Sequence, residues 1–371
     1  MYAYRFLEDF VLLYPVYALL FAEHGLSTAE ISSLFVIWSV TSFVVEIPSG
    51  MWADTFSRRR LVVAGPLLTA VGFGLWTFLP SYLVFAAGFV LWGTGNALSS
   101  GALEALVYEE LDRLGAAGSY ARLIGRSHAI GTTAVLAATA LAAPVIAVGG
   151  YTALGVASVA VLVMSGLAGL MLPESRSPGE AEDGYLAVLR EGLREARREP
   201  AAAGALVLLV VLMGVGSLDE YIPLLASATG VSAATVPLLM LLETAAATAG
   251  GWFAGRGVRW TAPVLAAAAL CLAAGAWSGR PGGLALVGAA YGVFQWATSN
   301  AEARLQDAIG DRARATVTSM AGFGSEVFAL LAYASFALGS TWSGPGPLFA
   351  LAAAPYLLVA ATLWLRGRSR T

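Results

Sequence analysis

The chain has 371 residues, of which 58% are hydrophobic and only 12% charged, and its mean hydropathy is +0.74. A soluble domain is about half apolar and about a quarter charged, so this composition calls for lipid as solvent. A net charge of −3 gives no basic footprint for nucleic acid. All 21 basic residues are arginine. Without lysine there is no P-loop amine and no Schiff base, which excludes a Walker-type ATPase. Any uphill work must then draw on an ion gradient. Cys271 stands alone and cannot form an intrachain disulfide, and two histidines, His24 and His128, are too few for a His-rich metal site. No metal and no cofactor are expected.

Apolar segments run over 2–23, 30–53, 61–79, 82–107, 123–147 and 151–172, then over 201–226, 231–254, 261–277, 283–304, 313–338 and 347–365. Each is close to the length of about 20 residues that crosses a bilayer as a helix. No secretory cleavage signature precedes the first, which reads as a retained helix. Most breaks are short turns rich in Gly, Ser, Thr or Pro, such as Pro80–Ser81 and Gly149–Gly150. One long polar stretch interrupts the series. It opens Pro173-Glu174-Ser175-Arg176-Ser177-Pro178-Gly179, and an Arg/Glu-rich amphipathic helix is expected over Tyr185–Glu199. The expected organisation is therefore a six-helix bundle over 1–173, a linker over 174–200 and a second six-helix bundle over 201–371. The fold class is an all-α membrane protein with about twelve transmembrane helices.

Arginine orients the chain. Arg5, Arg58–Arg60, Arg113, Arg122, Arg126, the linker group, Arg256, Arg259, Arg304, Arg312, Arg314 and the Arg366–Arg370 tail fall on one side, and only Arg280 falls on the other. The positive-inside rule makes the crowded side cytoplasmic, so both termini and the linker are expected in the cytoplasm, at the inner membrane. Internal repetition agrees with two related halves. Gly50-x-x-Ala53-x-x-x-x-Arg58 closes the second span and Gly251-x-x-Ala254-x-x-x-x-Arg259 closes the eighth. Glu104-Ala105-x-Val107-x-Glu109 closes the fourth and Glu302-Ala303-x-Leu305-x-Asp307 the tenth.

The run Gly50-Met-Trp-Ala-Asp54-Thr-Phe-Ser-Arg58-Arg59-Arg60 resembles the loop signature of the major facilitator superfamily, Gly-x-x-x-Asp-Arg-x-Gly-Arg-Arg. Gly50, Asp54, Arg58 and Arg59 match, while Thr55 and Ser57 replace the usual Arg and Gly. Preceded by Glu46-Ile-Pro-Ser, it is similar to a Glu-x-Pro-x-Gly variant of bacterial members. The resemblance implies that Gly50, Asp54, Arg58 and Arg59 form a gating latch between two halves in one state of alternating access. It also implies that spans 1, 4, 7 and 10 line a central path and that 2, 5, 8 and 11 form the interface between halves. Two departures separate the chain from the drug/proton antiporters of that family. Span 5 has Gly131 and Pro144 without the usual Gly-Pro arrangement, and span 4 reads Leu91-Trp-Gly-Thr-Gly-Asn96 with no buried arginine.

Acids inside apolar helices carry the functional signal, since each costs about 2.5–3.5 kcal/mol at a bilayer centre unless it faces a partner or a cavity. Glu243 and Glu326 lie nearest mid-helix and, with Glu46, Asp9 and His128, are the candidates for proton coupling. Glu104 and Glu302 stand closer to helix ends, where a structural role is the better reading. Arg122 and Arg126, one turn apart, offer partners to Glu104, Glu46 or Asp9. Polar stripes recur at helical spacing: Asn96, Ser100 and Glu104; Gln295, Ser299 and Glu302; Ser39, Ser42 and Glu46. Together with Tyr14, Tyr17, Asp219, Glu220, Tyr221 and Trp296 they make up the candidate substrate cavity. Pro15, Pro48 and Pro223 are expected to kink their spans.

These features imply a secondary active transporter, with no catalytic residues. It would act as a monomer in membrane lipid, exchange protons, and export a small amphipathic or cationic molecule. Proton-coupled import of a nutrient or metabolite, and a non-transporting sensor of the same fold, are the alternatives. A membrane enzyme is disfavoured, because the chain has no His/Asp metal cluster, nucleophile elbow or lysine.

Overall fold

A computed structural model describes the backbone of residues 1–175, 200–308 and 314–368. Side chains are described throughout these except at 47–51, 53–55, 100, 200–203, 307–308, 314–319 and 366–368. The amphipathic helix expected over Tyr185–Glu199 lies outside the described residues. The chain divides into two compact units, Met1–Gly184 and Tyr185–Thr371. All regular structure among the described residues is helical.

The first unit contains α1 (Tyr2–Asp9), α2 (Tyr17–Glu23), α3 (Thr28–Thr55), α4 (Arg58–Phe78), α5 (Tyr82–Arg113) and α6 (Tyr120–Leu170). Helix α3 starts where Ser27 caps it: its hydroxyl accepts from the Glu30 N–H while the Glu30 carboxylate accepts from the Ser27 N–H. Helix α4 begins on Ser57, whose hydroxyl accepts from the Arg60 N–H at 3.2 Å. Helix α6 holds two of the expected segments, and the chain turns between them at Gly150, where φ is 62° and ψ is −163°. Only glycine adopts that backbone without strain. Helix α5 lies between α3 and α4, while α6 packs on α4 and α1.

The second unit contains α7 (Pro200–Met213), α8 (Gly216–Asp219), α9 (Ile222–Ser227), α10 (Val236–Trp252), α11 (Thr261–Trp277), α12 (Gly283–Ala308), α13 (Arg314–Gly339), α14 (Pro345–Ala352) and α15 (Ala354–Arg368). Helix α12 packs on α10, α11 and α7, and α11 also on α14 and α15. The crossing of α10 and α12 is backbone on backbone. A Cβ on Gly250 would collide with the Gly292 carbonyl, and one on Gly288 would meet the Leu242 carbonyl at 3.0 Å.

Among the described residues, seven helical stretches are long and apolar enough to cross a membrane by length and composition. The expected segments 2–23, 201–226, 231–254 and 283–304 are outside this set. The first two are broken. Segment 2–23 becomes α1, a single 3₁₀ turn at Tyr14–Val16, and α2, and segment 201–226 becomes α7, α8 and α9. Pro15 and Pro223 bring no N–H to the ladder, and an acid pair precedes each. The outer faces carry Leu83, Val148, Leu331 and Leu358 uncovered. Large apolar side chains left bare on helices fit lipid as the surrounding medium.

Candidate functional site

In the first unit, the charged end of α1 is closed on itself. Arg5 Nη1 lies 2.9 Å from Glu8 Oε2, and Arg5 Nε lies 3.0 Å from Asp9 Oδ2. The Tyr4 hydroxyl, on a side chain 1% exposed, is shared between Glu8 Oε1 and the Val62 carbonyl of α4. Gly131 of α6 faces this group closely enough that a Cβ there would collide with the Asp9 carboxylate. Asp9 is therefore an ion-paired acid whose arginine is Arg5. Of the three acids for which Arg122 and Arg126 are candidate partners, Asp9 is instead paired with Arg5, one turn away on its own helix, and both α6 arginines are exposed. His128 and Glu46 are exposed, as are Asn96 and Glu104 on α5, while the Ser100 side chain lies outside the described residues.

Tyr14 and Tyr17 stand just beyond the break in the first segment. Tyr17 is 2% exposed and sits among Phe21, Phe35, Trp76, Phe89 and Trp92, with ring centroids 5.6–6.0 Å apart. Such edge-on and tilted contacts make a rigid aromatic core. Tyr14 is half-buried at its margin, edge-on to Trp92 at 5.8 Å. Beside it, the Trp38 indole N–H and the Ser42 hydroxyl are buried without hydrogen-bond partners.

Of the expected latch, Gly50 and Asp54 have side chains outside the described residues, and Arg58 and Arg59 act at the start of α4. Arg58 Nη1 lies 2.5 Å from Glu109 Oε1 of α5. Glu174, just past α6, accepts from the Ser57 hydroxyl at 2.5 Å and from the Arg59 N–H at 3.3 Å. Its partial burial works against ionisation, but Ser57, the Arg59 and Arg58 N–H groups and the Arg59 charge together hold its carboxyl below the usual range. Glu110 accepts from the Ser175 N–H and from Arg113. The first arginine-rich loop thus binds acids of its own unit.

In the second unit, acids gather around buried phenols. Asp219 ends α8 and Glu220 follows it, both half-buried. Asp219 feels the charges of Glu220 and of Glu243 on α10. Tyr291 of α12 lies within electrostatic reach of Asp219, Glu243, Tyr356 and Glu220, and its hydroxyl donates to the Val215 carbonyl at 3.4 Å. Tyr333 of α13 lies within reach of Glu220, Asp219, Tyr221 and Glu326. Glu243 is half-buried and accepts from the Thr244 hydroxyl at 3.1 Å. Tyr221 is fully buried, stacked on Phe336 at 4.1 Å. Gln295 is exposed and reaches Ser299 at 3.5 Å, whereas Trp296 is buried and donates to the Arg256 carbonyl at 3.0 Å. So the structure groups Asp219, Glu220, Glu243 and Glu326, and turns Tyr221 and Trp296 to packing contacts.

A family model described as Major Facilitator Superfamily matches residues 6–301. The chain belongs to that superfamily. It is accordingly a multi-pass membrane protein and a transporter rather than an enzyme. Solved major facilitators share its fold at low identity. The nucleoside transporter NupG, as a point mutant, is 11% identical with a TM-score of 0.78, over 98% of either chain. An auto-inhibited peptide transporter of the POT family is 14% identical with a TM-score of 0.74, over 99% of this chain and 96% of that one. A bacterial homolog of the human lysosomal transporter Spinster, inward-facing and occupied, is 15% identical with a TM-score of 0.70, over 100% and 95%. Among curated proteins none matches the sequence.

Tyr291 reads in the sequence as an aromatic of the central path, whereas Tyr333 escaped the sequence reading, because nothing local separates a phenol near an acid from one at a lipid interface. A readable signal did exist for the acids. Leu7-Glu8-Asp9-Phe10-Val11 recurs without a gap as Leu218-Asp219-Glu220-Tyr221-Ile222.

Proposed function

We propose that this major facilitator has about twelve transmembrane helices in two six-helix halves, with both termini cytoplasmic. It exports a small amphipathic or cationic molecule across the cytoplasmic membrane by alternating access, in exchange for protons, and works as a monomer. The observation that carries this reading is the acid group of the second unit. Asp219, Glu220, Glu243 and Glu326 come from three separate stretches of chain and meet around Tyr291 and Tyr333. The apolar stretches around them, residues 200–255, 281–303 and 315–365, contain no arginine or lysine. Carboxylates in a medium of low dielectric demand positive charge, and protons and a cationic substrate are the two sources that a transporter can exchange. A discontinuous helix beside them adds backbone groups of the kind that ion sites in transporters use. Glu243 and Glu326 are the proposed coupling residues.

The test is flux in proteoliposomes under an imposed pH gradient, with tetraphenylphosphonium as a cationic probe and a neutral analogue as control. Accumulation of the cation that follows the proton gradient and collapses with a protonophore is expected. Flux without pH dependence would remove the coupling, and binding with no flux of either probe would make the chain a sensor.

A further inference from the structure

The connection from α10 to α11 carries three bare aromatic rings: Trp252 is 84% exposed, Phe253 57% and Trp260 55%. Two arginines stand among them. The Arg256 guanidinium carbon lies 6.0 Å from the centre of the Phe253 ring, and that of Arg259 lies 5.5 Å from the centre of the Trp260 ring. Each cation rests against a π face, an arrangement that positions the charge and leaves its N–H donors for an outside acceptor. Both arginines are exposed, and among the described residues neither has an ion pair.

Buried groups of α12 hold this exposed loop in place. Asn300 accepts from the Gly255 N–H at 2.7 Å, and the Trp296 indole donates to the Arg256 carbonyl at 3.0 Å, both from side chains under 9% exposed. Gly255 and Gly257 take φ of 80° and 67°, a backbone that glycine adopts without strain. The rings and charges are thus displayed on a fixed frame at the boundary of a span, since Val258–Trp277 is one of the stretches long and apolar enough to cross a membrane. The matching loop of the first unit answers its arginine internally, with Arg58 on Glu109. Aligning Gly251–Arg259 with Gly50–Arg58 sets Arg259 against Arg58, and Arg256 against Thr55. Asp307, the counterpart of Glu109, has its side chain outside the described residues. The second loop therefore adds an arginine and turns both onto aromatic rings.

We propose that the α10–α11 loop is a binding site for an anionic phospholipid. Arg256 and Arg259 take the headgroup phosphate, while Trp252, Phe253 and Trp260 lie in the layer between headgroups and acyl chains. Charge and surface agree on that occupant. Guanidinium groups bond to phosphate oxygens, and exposed indoles at the end of a span suit the membrane interface. A soluble phosphate would meet the arginines and leave the rings in water. The site is independent of the transported substrate and of proton coupling.

The experiment uses the full-length protein with Cys271→Ser and Ala254→Cys, labelled with bimane at the exposed position 254. It is placed in phosphatidylcholine nanodiscs containing a small fraction of lipid with a nitroxide near the top of the acyl chain. Quenching by nitroxide phosphatidylglycerol should exceed quenching by nitroxide phosphatidylcholine, with a relative association of about threefold or more at low salt. Raising NaCl to about 0.5 M should remove the preference. Arg256→Gln with Arg259→Gln should remove it too, with the melting temperature unchanged. Arg256→Lys with Arg259→Lys should retain most of it, and Arg280→Gln, exposed just past the other end of α11, should retain all of it. A preference that survives in the glutamine pair overturns the proposal. If that pair does not fold, a wild-type preference insensitive to salt overturns it instead. Loss of the anionic preference on adding inorganic phosphate at matched ionic strength would make this a soluble-anion site and also overturns it. Equal quenching by the two lipids in wild type does the same, and leaves an acidic protein as the occupant.

Discussion

Arg58 Nη1 lies 2.5 Å from Glu109 Oε1, joining the first turn of α4 to the last turn of α5. The two side chains are 17% and 29% exposed, so the pair is partly shielded from solvent. It connects a loop matching the superfamily signature to an acid that recurs, as Asp307, in the second half. A pair of this exposure contributes about 0.5–1 kcal/mol. Arg58→Glu should lower the melting temperature in detergent, and Arg58→Glu with Glu109→Arg should recover most of the loss. A double-mutant cycle with no coupling would make the contact incidental.

Glu174 should give the protein a pH dependence of defined sign. Its folded carboxyl is held below the usual range, chiefly by Ser57 and the Arg59 N–H against its own partial burial. A depressed folded value contributes stability that is fully present above the unfolded value, about 4.3 for Glu, and lost as pH falls through the folded one. Melting temperatures of wild type and Glu174→Gln should therefore differ at pH 6 to 7 and converge as the pH drops below about 4. A constant difference across that range would rule out ionisation as the source.

Gly250 controls how closely α10 approaches α12. With its Cβ position on the Gly292 carbonyl, Gly250→Val must separate the helices, at a cost of about 1–3 kcal/mol. Helix α10 carries Glu243, so the same variant should also weaken binding of a cationic probe. Gly251→Val is the control, because a Cβ there meets nothing within 4 Å. Equal melting temperatures for the two variants would contradict the packing.

Orientation follows from the arginine count and is open to labelling. In a Cys271→Ser background, cysteines at Ser81 and Gly282 should react with an impermeant maleimide on intact cells. Cysteines at Ser57 and Ala116 should react only after lysis. Surface labelling at Ser57 would invert the topology.

Coupling through Glu243 and Glu326 predicts a divided phenotype. Glutamine keeps shape and hydrogen bonding but removes titration, so Glu243→Gln or Glu326→Gln should abolish gradient-driven accumulation while exchange of labelled substrate persists. If both single variants and the double variant still concentrate substrate with normal pH dependence, coupling passes to Asp219 and Glu220.

The amino-acid sequence alone determined the solvent, and it carries the arginine asymmetry behind the expected orientation and the matches between halves. Those follow from quantities that add along the chain: apolar content, arginine placement, and matches such as Gly50–Arg58 with Gly251–Arg259. It also located the acids, because a charge in an apolar run is conspicuous wherever the run folds. Only the tertiary structure decided which acids are already satisfied. Asp9 and Glu243 look alike in sequence, yet Asp9 rests against Arg5, while Glu243 joins Asp219 and Glu220 beside Tyr291. Tyr17 and Trp296 likewise read as cavity aromatics and prove to be packed in the core. The physical reason is that lipid tails are as apolar as a protein interior. Periodicity therefore does not separate a face turned to lipid from one turned to another helix. Ion pairing depends on distances of a few ångströms between helices that are far apart in sequence, and it is settled only when those helices pack.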